Sequence, residues 1–156
     1  MKVSEFFCFD SLVPTLSSSD RNAVIEELVG KLGESGCFGK IKPEDITKAI
    51  IQREDDASTG IGKGVAVPHV KFPGIKKAIA TVGNTEVGID FSSLDKQPVY
   101  SVILLISPED NPDMHLQSME QVFRLLQNDK CRKFLRQAKT SEQIKDVLAD
   151  FEEGKI

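Results

Sequence analysis

Several features that would point to common chemistries are scarce or missing in this chain. Its 156 residues include only two histidines and three cysteines. The cysteines, Cys8, Cys37 and Cys131, are widely spaced and form no Cys-x-x-Cys pair, which predicts reduced thiols in a cytoplasmic protein. With so few histidines, and cysteines so scattered, no metal-ligand spacing exists, and we expect no metal site.

Long apolar runs and a strong charge imbalance are also absent. No stretch reaches membrane-spanning length, and the first residues lack the apolar core of a secretory signal. We therefore expect no insertion into a membrane. The formal net charge of −4 argues against nucleic acid as the main partner.

The length and the apolar periodicity predict one layered α/β domain over residues 1–156. Helical spacing predicts helices before, between and after a set of strands, and residues 57–64 are predicted to be a loop because of their glycines. The predicted helices follow Ser17–Asp20 and span about 43–54, 113–127, 130–138 and 141–151; the predicted strands are 65–67, 78–82 and 99–106.

The segment Gly60–His69, which reads Gly-Ile-Gly-Lys-Gly-Val-Ala-Val-Pro-His, is the most informative part of the chain. Pro68 fixes its own φ and pushes Val67 into extended geometry, so a strand is predicted to end at His69. The glycines lack a Cβ, so their backbone can pass close to whatever His69 reacts with. An imidazole presented in this way suits a nucleophile or a general base.

This segment and its surroundings resemble the enzyme IIA domains of the bacterial phosphoenolpyruvate-dependent sugar phosphotransferase system, of the fructose/mannitol/nitrogen-regulatory type. The resemblance covers most of the chain and rests on four motifs: Arg53-Glu54, Ser58-Thr59-Gly60, Ile61-Gly62 through Ala66-Val67-Pro68-His69, and His115-Leu116-Gln117. It implies a mixed β-sheet flanked by helices on both faces and no cofactor. It also implies that His69 is phosphorylated by the histidine phosphocarrier protein and passes the phosphoryl group on. Val70 departs from the small residue that the family usually has after this histidine.

Two further residues are candidate catalytic groups beside His69. His115 extends the inward stripe of the helix that it opens, which fits either a core histidine or a hydrogen-bond donor to phosphoryl oxygens. The resemblance implies that it lies beside His69 without carrying the phosphoryl group. Arg53 has a planar fork that can bind two phosphoryl oxygens, although a solvated pair with Glu54, Asp55 or Asp56 would also explain it.

The remaining candidates support the phosphoryl group or meet a partner. Ser58, Thr59 and Gly60 are expected to help hold the phosphoryl group, although loop-entry hydroxyls often only cap a turn. The apolar residues nearest His69 in sequence are expected to be exposed and to form the partner surface; they are Ile61, Val70 and Phe72.

Three functions are consistent with these residues. The first is a phosphocarrier that delivers the phosphoryl group from His69 to a cysteine of an enzyme IIB domain on a separate chain. The second is a nitrogen-regulatory protein in which the phosphorylation state of His69 controls binding to other proteins, suggested by a helical leader of about 40 residues before the matching motifs. The third is a metal-dependent hydrolase that uses His69 and His115.

Overall fold

Two helices within the first 56 residues form the layer on one face of the sheet. The computed structural model describes residues 1–156, beginning with two short 3-10 helices at Val3–Glu5 and Phe9–Ser11. Helix α1 (Arg21–Glu34) starts where Asp20 accepts the Ala23 N–H at 2.9 Å. Helix α2 (Pro43–Asp56) starts at a proline, whose missing N–H would have no intrahelical partner there. Both helices begin where the sequence predicts.

The strands form one mixed sheet around a central strand. They are β1 (Gly60–Gly62), β2 (Val65–Ala66), β3 (His69–Phe72), β4 (Ile79–Ile89) and β5 (Val99–Pro108). One side of β5 pairs in parallel first with β2 and then with β3, while its other side pairs antiparallel with β4. Strand β1 pairs antiparallel with β2. The prediction of a mixed sheet is confirmed.

Three helices follow the sheet. Each begins at a side chain that accepts a backbone N–H of the first turn, a pattern that fixes where the helix starts. They are α3 (Pro112–Gln127) after Asn111, α4 (Asp129–Gln137) after Asn128 and α5 (Ser141–Glu152) after Thr140. No helix in the chain is both long enough and apolar enough to cross a membrane.

The sheet carries a hydrophobic core on each face, because β5 is apolar at nearly every position. Ile103 and Leu105 belong to the core that includes α3, α4 and α5, whereas Leu104 and Ile106 belong to the core that includes α1 and α2. Alternate side chains of a strand point to opposite faces, so a continuous apolar run is what a strand covered on both sides requires. The predicted flanking of the sheet by helices on both faces is confirmed.

Two strand boundaries differ from the sequence prediction. Strand β1 lies inside the predicted loop 57–64, because Lys63 and Gly64 both have positive φ and close a two-residue hairpin. Strand β4 continues past Val82 through Gly83, where an added Cβ would lie 2.8 Å from Leu28. Glycine, which is depleted in strands, is needed there so that α1 can pack on the sheet.

Candidate functional site

His69 lies where the central strand β5 changes its parallel partner. The partner of β5 changes from β2 to β3 at Val67-Pro68, and His69 is the first residue of β3. Pro68 has no N–H to donate, but its carbonyl still accepts the Leu105 N–H at 3.0 Å. The prediction that a strand ends at His69 is therefore wrong. Strand structure is interrupted only at Val67 and Pro68, and a new strand starts at the histidine.

The ring of His69 is held in one orientation and one tautomer. Its Nδ1 lies 2.7 Å from the Val67 carbonyl oxygen. A carbonyl can only accept, so Nδ1 carries the hydrogen and Nε2 keeps its unshared electron pair. Burial is the largest effect on the half-buried ring and lowers the pKa of His69, and the positive charge of Arg53 lowers it further. His69 is therefore neutral at physiological pH, with Nε2 as its nucleophilic atom.

His115 lies beside His69, as the sequence predicts. The ring centroids are 5.8 Å apart and the ring planes are inclined by 36°. His115 is in the first turn of α3, and its Nδ1 lies 2.9 Å from the hydroxyl of Ser107, a fully buried residue of β5. Burial lowers the pKa of His115, and the charge of Lys71 and that of His69 in its protonated form act in the same direction. Its Nε2 has no hydrogen-bond partner within the chain, so it is available to a ligand.

Arg53 is in the last turn of α2, and its Nη1 donates to the Ala57 carbonyl at 2.9 Å. It has no carboxylate within 4.0 Å, and the neighbouring Asp55 pairs instead with Arg21. The alternative of a pair between Arg53 and the acidic residues that follow it is therefore wrong. Its charge acts on the pKa of His69, and a guanidinium that spends one N–H on a carbonyl keeps others for an anion.

Ser58 and Thr59 build the loop that precedes the site. The Ser58 hydroxyl donates to the Phe91 carbonyl and accepts the Gly60 N–H at 3.0 Å. The Thr59 hydroxyl donates to Glu54, and the backbone N–H of Thr59 donates to the same carboxylate at 2.7 Å. Both hydroxyl hydrogens are thus bonded within the chain. The sequence suggested that these hydroxyls help to hold the phosphoryl group, but in the structure neither is free to donate to it.

The glycines before His69 serve packing and turning. An added Cβ on Gly60 would lie 2.3 Å from the Ser93 hydroxyl oxygen and 3.0 Å from the Ser93 Cα. Gly64 has a φ of +79°, which the hairpin between β1 and β2 requires. Gly60 thus lets β1 approach the segment that contains Ser93, and Gly64 closes the hairpin. Close approach of this backbone to the reaction partner of His69 stays a prediction.

The expected apolar surface is only partly beside His69. His69 and Lys71 share one face of β3, while Val70 and Phe72 point to the other face and are half-buried against the core of α1 and α2. Ile61 is half-buried against the opposite core, on the His69 side of the sheet. The structure therefore does not bring Val70 and Phe72 next to His69. It places the exposed Lys71 there instead, close enough to lower the pKa of His115.

Three residues at the site were not singled out from the sequence. Glu54 is 2% exposed although it opens the acidic run Glu54-Asp55-Asp56, which looks like a surface patch. Ser107 lies just beyond the predicted end of its strand. Leu116 is the opposite case: it follows His115 in the first turn of α3, and its apolar side chain is 64% exposed. The available signal was membership of the matching motifs, Arg53-Glu54 for Glu54 and His115-Leu116-Gln117 for Leu116.

The residues of the site form no metal-ligand set. Nowhere in the chain do three His, Cys, Asp or Glu side chains lie close enough together to hold a metal ion. The hydrolase hypothesis, which needs carboxylates beside the two histidines, thus has no ligands to draw on.

Comparison with known proteins shows the family to which this chain belongs. The family model described as "Phosphoenolpyruvate-dependent sugar phosphotransferase system, EIIA 2" matches residues 6–151. The chain belongs to this family. The match includes α1 and α2, so these helices are part of the EIIA domain and not a leader that precedes it. They therefore give no reason to prefer a regulatory member of the family.

Individual EIIA relatives include both transport and regulatory proteins. The chain is 31% identical over 149 residues to a fructose-specific EIIABC component from Bacillus subtilis, covering 95% of this chain and 23% of that protein. It is also 31% identical over 149 residues to a nitrogen regulatory protein from Bradyrhizobium diazoefficiens, covering 96% of this chain and 95% of that one. The chain thus spans about a quarter of the first relative and nearly all of the second.

Solved structures of EIIA proteins have the same fold as this chain. Nitrogen regulatory protein IIA-Ntr from Neisseria meningitidis superimposes with a TM-score of 0.84 at 23% identity, covering 94% of this chain and 98% of that one. Enzyme IIA for mannitol from Escherichia coli, in its complex with phosphorylated enzyme IIB, superimposes with a TM-score of 0.74 at 17% identity, covering 92% and 99%. At these identities the likeness is one of fold.

Proposed function

We propose that this protein is a cytoplasmic phosphocarrier that accepts a phosphoryl group on Nε2 of His69. The donor is the phosphohistidine of the histidine phosphocarrier protein, whose P–N bond breaks as the new bond to Nε2 forms. The acceptor is a cysteine thiolate of an enzyme IIB domain, and transfer to it frees His69 again. The observation that carries this proposal is the hydrogen bond from His69 Nδ1 to the Val67 carbonyl, which leaves Nε2 unprotonated.

The chain's own residues supply positioning and charge for this transfer. Phosphoryl transfer depends mainly on in-line placement and on stabilising the charge of the three oxygens. Arg53 and Lys71 bring positive charge toward the two histidines, and Nε2 of His115 has no other hydrogen-bond partner. In the proposed mechanism His115 donates to a phosphoryl oxygen, while Arg53 binds one or two oxygens with its planar fork.

The proposed partner surface centres on Leu116 instead of Val70 and Phe72. Leu116 is exposed and follows His115 directly in the first turn of α3, and an exposed apolar side chain near the site is a suitable contact for a transient partner, whose interface is small. Leu116→Asp should slow phosphoryl uptake without lowering stability. Val87→Asp is a matched control because Val87 is 65% exposed near the other end of the sheet. Equal uptake by the two variants would contradict this surface.

A regulatory role is the second candidate. It is favoured by the nitrogen regulatory relative that this chain covers over 95% of its length. In that case the same phosphohistidine would change the affinity for a target protein in place of feeding a transporter. Uptake of phosphate by the protein with no transfer to any enzyme IIB of the same cell would favour this role.

Incubation with phosphoenolpyruvate, enzyme I and the histidine phosphocarrier protein tests the proposal. Intact-mass analysis should show the addition of one phosphoryl group, labile in acid and stable in base. His69→Ala should abolish the addition, whereas His115→Ala should accept phosphate but pass it on poorly. Phosphorylation that persists in His69→Ala and disappears in His115→Ala would exchange the two roles. A parent protein that accepts no phosphate would refute the carrier function.

A further inference from the structure

Two of the three cysteines face each other across the fold. Cys8 lies just before the second 3-10 helix, and Cys37 lies in the connection between α1 and α2. Their Sγ atoms are 3.6 Å apart, and both residues are half-buried. The third cysteine, Cys131, is fully buried in α4. The 3.6 Å contact therefore brings together two residues that the sequence gives no reason to pair.

The backbone holds both cysteines in place. The N–H of Cys8 donates to the Ala80 carbonyl at 2.8 Å, which ties this residue to the edge of β4. The N–H of Cys37 donates to the Leu32 carbonyl at 3.2 Å, just after the turn at Gly36. A disulfide has an S–S distance of about 2.05 Å, so its formation here requires the sulfurs to approach by about 1.5 Å. Side-chain rotation with small backbone shifts can supply this movement.

We propose that Cys8 and Cys37 are a modification site at which hydroperoxides form a reversible intramolecular disulfide. The reaction consumes two thiols and one hydrogen peroxide and yields one disulfide and two waters. In the first step the sulfur of Cys8 takes one peroxide oxygen to form a sulfenic acid, and the other oxygen leaves as water. In the second step the sulfur of Cys37 attacks the Cys8 sulfur, and the sulfenic oxygen leaves as water with the Cys37 proton.

The order of these steps follows from the environment of Cys37. Burial, together with the adjacent Cys8, raises the pKa of the Cys37 thiol to about 11. This thiol therefore stays protonated at neutral pH and is a poor first nucleophile. Its sulfur is nevertheless in contact with Cys8, so the second step gains from proximity once the sulfenic acid has formed.

The disulfide would join the N-terminal segment on β4 to the connection between α1 and α2. The closed loop contains all of α1 and restricts the unfolded chain more than the folded one. For a loop of this size we expect a rise in Tm of about 7–14 °C on oxidation. The proposal does not depend on phosphoryl transfer by His69, because it concerns a different pair of residues and has its own readouts.

Treatment of the reduced protein with hydrogen peroxide tests the proposal. Intact-mass analysis should show the loss of two hydrogen atoms, and peptide mapping should find the peptides of Cys8 and Cys37 joined. Dithiothreitol should reverse both results. The matched control is Cys131→Ser, which should form the same bond, whereas Cys8→Ser and Cys37→Ser should not.

The two single variants also guard against a folding artefact. Each should keep the circular dichroism spectrum of the reduced parent and lose only the rise in Tm after peroxide treatment. Addition of oxygen atoms without joined peptides would overturn the proposal. Joined peptides that contain Cys131, or a bond between two chains, would overturn it as well.

Discussion

Glu54 is a buried carboxylate whose removal should release the loop before His69 from the end of α2. It is 2% exposed and accepts two hydrogen bonds from one residue, the backbone N–H of Thr59 at 2.7 Å and the hydroxyl of Thr59. Thr59 is itself 5% exposed, so water cannot readily replace the carboxylate. Two substitutions separate the parts of this contact: Glu54→Ala removes the acceptor, and Glu54→Gln removes only the charge.

The expected losses follow from the number of groups left without a partner. Glu54→Ala leaves two buried donors of Thr59 unsatisfied, at about 1–3 kcal/mol each, so we expect a loss of about 2–6 kcal/mol in the free energy of unfolding. For a domain of this size that lowers Tm by about 4–24 °C. Glu54→Gln keeps an oxygen for the Thr59 N–H, and we expect a smaller loss of about 1–2 kcal/mol.

A second readout links Glu54 to the candidate nucleophile. The negative charge of Glu54 raises the pKa of His69 and so opposes the larger effect of burial. Glu54→Gln should therefore move the titration midpoint of His69 to lower pH, as measured by nuclear magnetic resonance of the ring. Asp55→Asn is the matched control, since Asp55 is the next residue, is exposed and pairs with Arg21.

Thermal unfolding and the ring titration together test whether Glu54 holds Thr59 and acts on the pKa of His69. The reasoning fails if Glu54→Gln matches the parent in both measurements. It fails equally if Asp55→Asn shows the same losses, because the effect would then be one of net charge at the end of α2.

The pH dependence, the arginine and the glycine before the site give further expectations. Because burial lowers the pKa of His69, phosphoryl uptake should persist at pH 6.5 and fall only below it, and a half-maximal point above about 6.5 would contradict this. The same shift makes the unfolded chain bind the proton first, so stability should decrease as pH falls below about 6.5, and less so in His69→Asn. Arg53→Lys should slow phosphoryl transfer with little change in Tm, since it keeps the charge and loses the planar fork; equal rates would show that the fork is not used. Gly60→Ala should lower the free energy of unfolding by about 1–3 kcal/mol, because its Cβ would lie 2.3 Å from the Ser93 hydroxyl oxygen, and Ser93→Gly in the same chain should restore part of the loss.

The proximity of His69 and His115 could be predicted from the sequence. His115 continues a helical stripe whose other members, Met119, Val122 and Leu126, are buried. A helix that starts directly after the last strand and turns this stripe inward must place His115 against the sheet. The 5.8 Å between the ring centroids confirms that prediction. Amphipathic spacing is a local property, and for this reason it can be read from the chain alone.

Local sequence patterns could not predict which core the side chains around His69 face. Whether a strand ends or begins at His69 depends on its pairing with Leu105, a residue far along the chain. Once β3 starts at His69, the side-chain period of two puts Lys71 on the face of the histidine and Phe72 on the other face. The pairing with Leu105 decides which of these faces meets the core of α1 and α2. The apolar residues that looked like a partner surface therefore face the core of α1 and α2.

The sequence also did not identify the buried polar residues Glu54 and Ser107, because their burial depends on contacts between distant parts of the chain. Glu54 and Ser107 are identical in type to many exposed residues, and only the fold reveals that each meets a single partner near a histidine. The pKa of a histidine likewise depends on burial and on charges brought in from other elements. Local sequence can thus nominate the nucleophile and the charged Arg53, but not a buried group such as Glu54 that also acts on the pKa of His69.

Under the proposed function, the fixed ring of His69 also limits how partners can bind. Nδ1 is held by Val67, so the phosphoryl group can enter and leave only through Nε2. The donor and the acceptor must each bring a reactive atom to the same point, on the side of the sheet that carries His115 and the exposed Leu116. The histidine phosphocarrier protein and an enzyme IIB domain, or a regulatory target, would therefore compete for one surface. A carrier with a single nucleophilic atom has to exchange its partners between the two transfers, which favours small and short-lived interfaces over tight ones.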